Sequence, residues 1–140
     1  RSQENTIAKN GAHSIKLLFQ PDTGATNSQA IFSRPFLYPQ DWSKYGKLNL
    51  WIRCENSAAL KIAVKDKEAE PFETRLLYLD KGDWKKVSFD LKDDFVRGSS
   101  LPNYGNNQFD RGGAREISFE LGPRENTNET IIYIDEITLE

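Results

Sequence analysis

Short runs in which apolar and polar residues alternate recur along this chain, and that period constrains its fold more than any other feature. Ile15, Leu17 and Phe19 alternate with Ser14, Lys16 and Leu18. Leu48, Leu50 and Ile52 alternate with Lys47, Asn49, Trp51 and Arg53, and Leu60, Ile62 and Val64 with Lys61, Ala63 and Lys65. Side chains of an extended strand point to opposite faces in turn, so a two-residue period marks a strand with one buried face. The same signal predicts strands over residues 12–19, 29–36, 47–54, 59–65, 72–79, 84–91, 115–121 and 130–140. Turn residues punctuate these runs: Pro21, Asp22, Gly24 and Asn27, then Glu55-Asn56-Ser57, Lys81-Gly82-Asp83 and Gly122-Pro123. Residues 92–113 form the longest stretch read as irregular. No window sustains a 3.6-residue period. The expectation is an all-β, two-sheet antiparallel β-sandwich of the jelly-roll type, one domain over residues 1–140.

The last strand carries an anomaly. Ile132, Ile134 and Ile137 alternate with Tyr133, Asp135 and Glu136, with a slip at Asp135-Glu136 that predicts a small bulge. A strand this apolar at the chain end requires neighbours on both sides, hence a central place in its sheet. Asp135 within it must be solvated, hydrogen-bonded or bound to a cation.

Composition removes several function classes. Charged residues make up 29% of the 140, yet the net charge is only −2, so no global field recruits nucleic acid or a membrane. The single cysteine, Cys54, excludes an internal disulfide framework and is read as a small apolar strand residue. One histidine, His13, makes triad chemistry improbable. The chain opens on Arg1-Ser2 without a methionine anywhere, which suggests a domain excised from a larger protein. Glu116 and Glu120 share a strand face, but four residues of strand hold them roughly 13 Å apart, too far to cooperate on one glycosidic bond.

Sugar binding makes other demands: aromatic faces for the C–H surface of a pyranose, and polar side chains for its hydroxyls. Trp42 and Trp84, at strand entries, read as structural. Trp51, opposite in phase to Leu50 and Ile52, faces either solvent, as a stacking platform, or a covering loop. If strands 29–36, 59–65, 72–79 and 115–121 share a sheet, its outward face offers Arg34, Lys61, Lys65, Arg75 or Tyr78, Glu116, Ser118 and Glu120. That surface suits recognition dominated by hydrogen bonds, of a substituted or anionic glycan. The alternative site is the long loop, where Tyr104 stands among Asn103, Asn106, Asn107 and Gln108.

Four stretches together resemble a known family. They are the segment from Glu4 through Lys9-Asn10-Gly11 to Leu17, Asp41-Trp-Ser-Lys-Tyr-Gly-Lys-Leu48, Gly82-Asp-Trp-Lys-Lys-Val-Ser-Phe-Asp-Leu91 and Ile132-Tyr-Ile-Asp-Glu-Ile137. In this order they resemble the galactose-binding-like β-sandwich carbohydrate-binding modules of bacterial glycoside hydrolases, over essentially the whole chain. The resemblance implies a non-catalytic module that targets an attached polysaccharide-degrading enzyme to its glycan, secreted or at the cell surface, and monomeric. It also implies a structural calcium, with Asp135 as side-chain ligand and backbone carbonyls around Lys9 and Gly11. Without the resemblance, Asp135 simply hydrogen-bonds neighbouring backbone. The alternative function is a structural β-sandwich spacer that packs against a catalytic domain and binds no sugar.

Overall fold

A computed structural model describes residues 2–4, 14–19, 30–98, 105–123 and 129–140. Its strands are β1 (Ser2–Glu4), β2 (Ser14–Phe19), β3 (Ala30–Gln40), β4 (Lys47–Cys54), β5 (Ala58–Lys65), β6 (Pro71–Glu73), β7 (Leu77–Leu79), β8 (Gly82–Asp90), β9 (Val96–Arg97), β10 (Ala114–Pro123) and β11 (Thr130–Leu139). They form two antiparallel sheets. The first has the order β1-β2-β11-β4-β8, the second β3-β10-β5-β6-β9, with β7 also on β5. The expected sandwich is what the chain forms, and β11 does lie in the middle of its sheet.

The alternating apolar residues meet between the sheets. Leu17, Leu50, Ile52, Leu60, Ile62, Val64, Leu121, Ile132 and Ile134 have no exposed surface. Each such side chain contributes about 1.5–3 kcal/mol relative to exposure. Cys54 sits in this layer, and burial pushes its thiol up to about 11. Trp42 also belongs to the core: it packs against Phe36 at 6.1 Å and donates its indole N–H to Gln40. Trp84 is only half-buried. In β11 the expected slip is real. Asp135 pairs with Trp51 but Thr138 with Asn49, and Glu136 takes a φ of +50°.

Three expectations about the elements need correction. The strand over 72–79 is broken into β6 and β7. Thr74 turns inward at the break, and its Oγ1 accepts the Ile62 N–H at 3.1 Å and donates to the Arg75 carbonyl, replacing ladder bonds. The strand over 29–36 runs on to Gln40, through Pro35 and Pro39; it lies at the edge of its sheet, where a missing N–H costs no ladder bond. Among its described residues, the stretch over 92–113 contains β9 and a 3-10 turn, Arg111–Gly113, and sends Phe95 and Phe109 into the core. Phe109 stacks on Phe72 at 5.0 Å, and Phe95 bridges Phe109 and Phe89.

A buried acidic corner ties that long connection to the β5–β6 turn. Asp66 accepts N–H bonds from Glu68, Glu70 and Asp110. Glu70, fully buried, accepts from the Arg97 guanidinium at 2.9 Å and from the N–H groups of Asn106 and Asn107 at 3.0 Å each. Gly105 has φ +76°, and a Cβ there would lie 2.3 Å from the Glu70 carboxylate. Only glycine tolerates both the backbone and the contact.

Candidate functional site

Among the described residues, the second sheet presents an extended face on which several candidate residues assemble. Register brings them together. Lys61 pairs with Glu120, Lys65 with Glu116, and Ala63 with both Ser118 and Glu73. On the far side of β10, Ile31, Ser33 and Pro35 stand opposite Glu120, Ser118 and Glu116. The result is three rows across the strands. Lys61 with Glu120 forms one wall and Lys65 with Glu116 the other. Between them runs a trough floored by the short side chains of Ser33, Ser118 and Ala63, with Glu73 at its end. Wall to wall is four residues of strand, roughly 13 Å.

The charges on this face are organised. The Lys61 ammonium lies 3.6 Å from a Glu73 oxygen and 3.8 Å from one of Glu120, and Lys65 lies 3.3 Å from Glu116. Lys61 is thus held between Glu73 and Glu120, and Lys65 is paired separately with Glu116. The two Lys61 contacts are too long for direct hydrogen bonds, which leaves donors and acceptors of those groups available to a ligand's hydroxyls. Arg75 is exposed at the rim, in the β6–β7 connection, and Tyr78, opposite Ala59, is exposed at one end of the face.

Two candidates lie elsewhere. Arg34 pairs with Ile117, whose side chain points into the sandwich, so Arg34 is not on the outward face. It lines a mostly apolar cavity of about 530 Å³ at the open edge between the sheets, with Phe36, Trp42 and Tyr45. The phase of β3 was read correctly in its spacing but assigned to the wrong side. Trp51 stands on the first sheet, between Asp135 and Lys86, and is half-buried. It is on the opposite side of the sandwich from Lys61 and cannot share a ligand with the trough. In that outer layer Tyr133 is covered by the Arg53 guanidinium, 5.9 Å from the ring centroid. Tyr104 falls outside the described residues.

The metal candidates divide similarly. Asp135 is half-buried, and its Oδ1 accepts the Glu136 N–H at 2.8 Å. Lys9 and Gly11 lie outside the described residues. Asp66, Glu70 and Asp110, which no sequence signal singled out, bring carboxylate oxygens within 4.8 Å of one another, a set that could hold a metal ion. By donor type these oxygens suit a hard cation. Yet Asp66 and Glu70 each already accept three N–H groups. Desolvation raises the Glu70 carboxyl pKa, but Arg97 and the backbone N–H groups of Asn107 and Asn106 outweigh it and hold it below its ordinary 4.5.

No protein-family model and no curated protein matches the sequence. Solved structures do match in shape. A family 11 carbohydrate-binding module from Clostridium thermocellum, solved with a β-1,3-1,4-mixed-linked tetrasaccharide, superposes with a TM-score of 0.72 at 16% identity, over 95% of this chain and 78% of that one. The family 30 module of a cellulosomal cellulase of the same organism gives 0.69 at 17%, over 99% and 80%. An exo-β-agarase gives 0.68 at 16%, over 99% of this chain but only 22% of the enzyme. The chain thus spans the greater part of the binding modules and about a fifth of the enzyme it resembles. What these likenesses establish is the fold: the two-sheet β-sandwich of carbohydrate-binding modules.

Proposed function

We propose that this chain is a non-catalytic carbohydrate-binding module whose glycan surface is the outer face of the second sheet. The observation that carries this is the ion-paired trough of Lys61, Glu73, Glu120, Lys65 and Glu116. Sugar hydroxyls both donate and accept, and a surface alternating carboxylates with ammonium groups offers both in fixed positions. The neighbouring binding modules share the fold, and one was solved with an oligosaccharide. The pairing also changes the ligand class expected. Both trough lysines are neutralised by glutamates, which leaves only the rim cation Arg75 for a sulfate or carboxylate group, so the trough itself fits a neutral glycan better than an anionic one. Attached to a polysaccharide-degrading enzyme outside the cell, such a module would raise the enzyme's effective concentration on substrate.

Affinity electrophoresis tests this on neutral β-1,3-1,4-glucan, β-1,2-glucan and agarose, with an alginate as anionic comparator. Retardation by at least one neutral polymer and none by alginate is expected. Migration unchanged on all of them would favour the spacer that only packs against a catalytic domain.

Calcium is not needed to account for the buried acids. Asp66 and Glu70 are compensated by N–H groups, so EDTA is expected to leave the melting midpoint unchanged. A fall restored by added Ca²⁺ would instead reveal a native-state ligand, because only a ligand bound to the folded chain stabilises it.

A further inference from the structure

The cavity of about 530 Å³ between the sheets lies away from the trough, on the inner side of the edge strand β3. Irregularities in two strands frame it. On β3, Pro35 pairs with Glu116 and Gln40 with Ala114, so five steps answer two along β10, and the bulge leaves Leu37 and Tyr38 exposed to solvent. On β11, pairing with β2 ends at Ile134 among the described residues, and the slip between Asp135 and Thr138 follows at once. The walls are apolar: Trp42, Leu48 and Ile117 are buried, and Ile15, Phe36 and Leu139 pack against the core. Volume and lining are those of a pocket for a small organic ligand.

The polar part of the lining has a direction. Arg34 and Gln40 are exposed, and with Phe36 they also line a groove of about 430 Å³ that runs along the bulge past Tyr38, so they stand at the mouth. The Gln40 Oε1 accepts the Trp42 indole N–H at 3.0 Å, which leaves the amide NH₂ as the group on offer. Among the described residues no carboxylate or carbonyl engages that NH₂ or the Arg34 guanidinium, and no Asp or Glu lines the cavity. Donors without acceptors at the mouth of an apolar cavity suit a ligand that brings the acceptor itself.

We propose that this cavity binds a small organic carboxylate, apolar body first. The body lies among Ile15, Phe36, Trp42 and Leu48, and the carboxylate meets the Arg34 fork and the Gln40 amide at the mouth. The site is separate from the trough and does not depend on the glycan reading. A sugar acid fits it less well, because the ring hydroxyls would enter apolar walls where only Tyr45 and Thr138 add a polar group.

The test is heteronuclear NMR and calorimetric titration of wild type and Arg34→Gln with phenylpropanoate, its uncharged amide and glucuronate. In wild type, phenylpropanoate is expected to shift the Trp42 indole N–H and the Gln40 side-chain amide while the backbone signals of Lys61 and Glu120 stay in place. The uncharged amide should bind roughly 10-fold more weakly, and Arg34→Gln should bring the two ligands to the same affinity. Arg34 is exposed on an edge strand, so the variant is expected to melt like wild type. An unmoved Trp42 signal, an uncharged amide that binds wild type as tightly as the carboxylate, or an Arg34→Gln variant that binds the carboxylate like wild type overturns the proposal. Glucuronate moving the same signals at equal or lower concentration overturns the apolar body and gives the cavity to a sugar acid.

Discussion

Glu70→Gln is expected to lower the melting midpoint by about 10 °C at neutral pH. Glu70 has no exposed surface, and its two oxygens accept from the Arg97 Nε and from the N–H groups of Asn106 and Asn107. Glutamine keeps the shape, but one of its terminal atoms becomes a donor facing donors. Arg97, whose side chain is only 13% exposed, loses its ion pair with this carboxylate. The damage spreads because the carboxylate holds the turn at Gly105 to Asn107, and that turn positions Phe109 on Phe72. The pH dependence supplies a second readout. The folded pKa of Glu70 lies below its ordinary 4.5, despite desolvation acting against that, so the native state binds fewer protons than the unfolded chain just below that value. Its stabilisation is therefore complete above about pH 5 and lost as pH falls through the depressed folded value. Melts of wild type and Glu70→Gln from pH 3 to pH 7 should converge at the acid end. Parallel curves, or equal midpoints at pH 7, would mean that the corner does not hold the long connection.

That corner marks where the sequence stops being informative. The two-residue period finds a strand whenever one face is buried along its whole length, which is why β4, β5, β10 and β11 were legible almost to the residue. The gathering of β3, β5, β6, β7 and β10 in one sheet was legible too. A carboxylate buried by backbone N–H groups from a segment some forty residues on has no such period. Asp66 and Glu70 look like any charged turn until Asn106, Asn107 and Asp110 fold onto them. The same limit hides Phe95 and Phe109, core residues without an alternating neighbour.

For the candidate site, alternation placed Lys61, Glu116 and Glu120 on one face correctly. It failed for Arg34, because alternation gives the phase of a strand and not which side is the core. Phe32 and Phe36 share Arg34's phase, and they mark the inner side of β3. Trp51 shows the related limit: it was read as outward-facing, but on which sheet's outer face only the topology decides. The exposure of Leu37 and Tyr38 was not legible because a bulge of this size breaks the period; the Pro39 beside them was the available hint.

Lys61→Ala is expected to weaken glycan binding by about 10- to 100-fold while moving the stability by less than about 1 kcal/mol. The two halves of that expectation come from one geometry. Lys61 is the hub of the trough, within ion-pair distance of both Glu73 and Glu120. Those contacts are half-exposed and long, so removing them costs the fold little. For a ligand the same ammonium matters more. It donates charge-assisted hydrogen bonds to hydroxyls, and it fixes two carboxylates that accept from the next ones. Without it, Glu73 and Glu120 are left to repel each other and swing out of the trough. Glu120→Ala should then add little to Lys61→Ala, because both changes dismantle one network; independent contacts would instead multiply their losses. Titration of both single variants and the double variant against the retarding polymer's oligosaccharides measures this, with melts as the control for folding. Unchanged affinity in Lys61→Ala, with wild type binding well, would remove the glycan from this face and direct attention to the inter-sheet cavity beside Arg34 and Trp42.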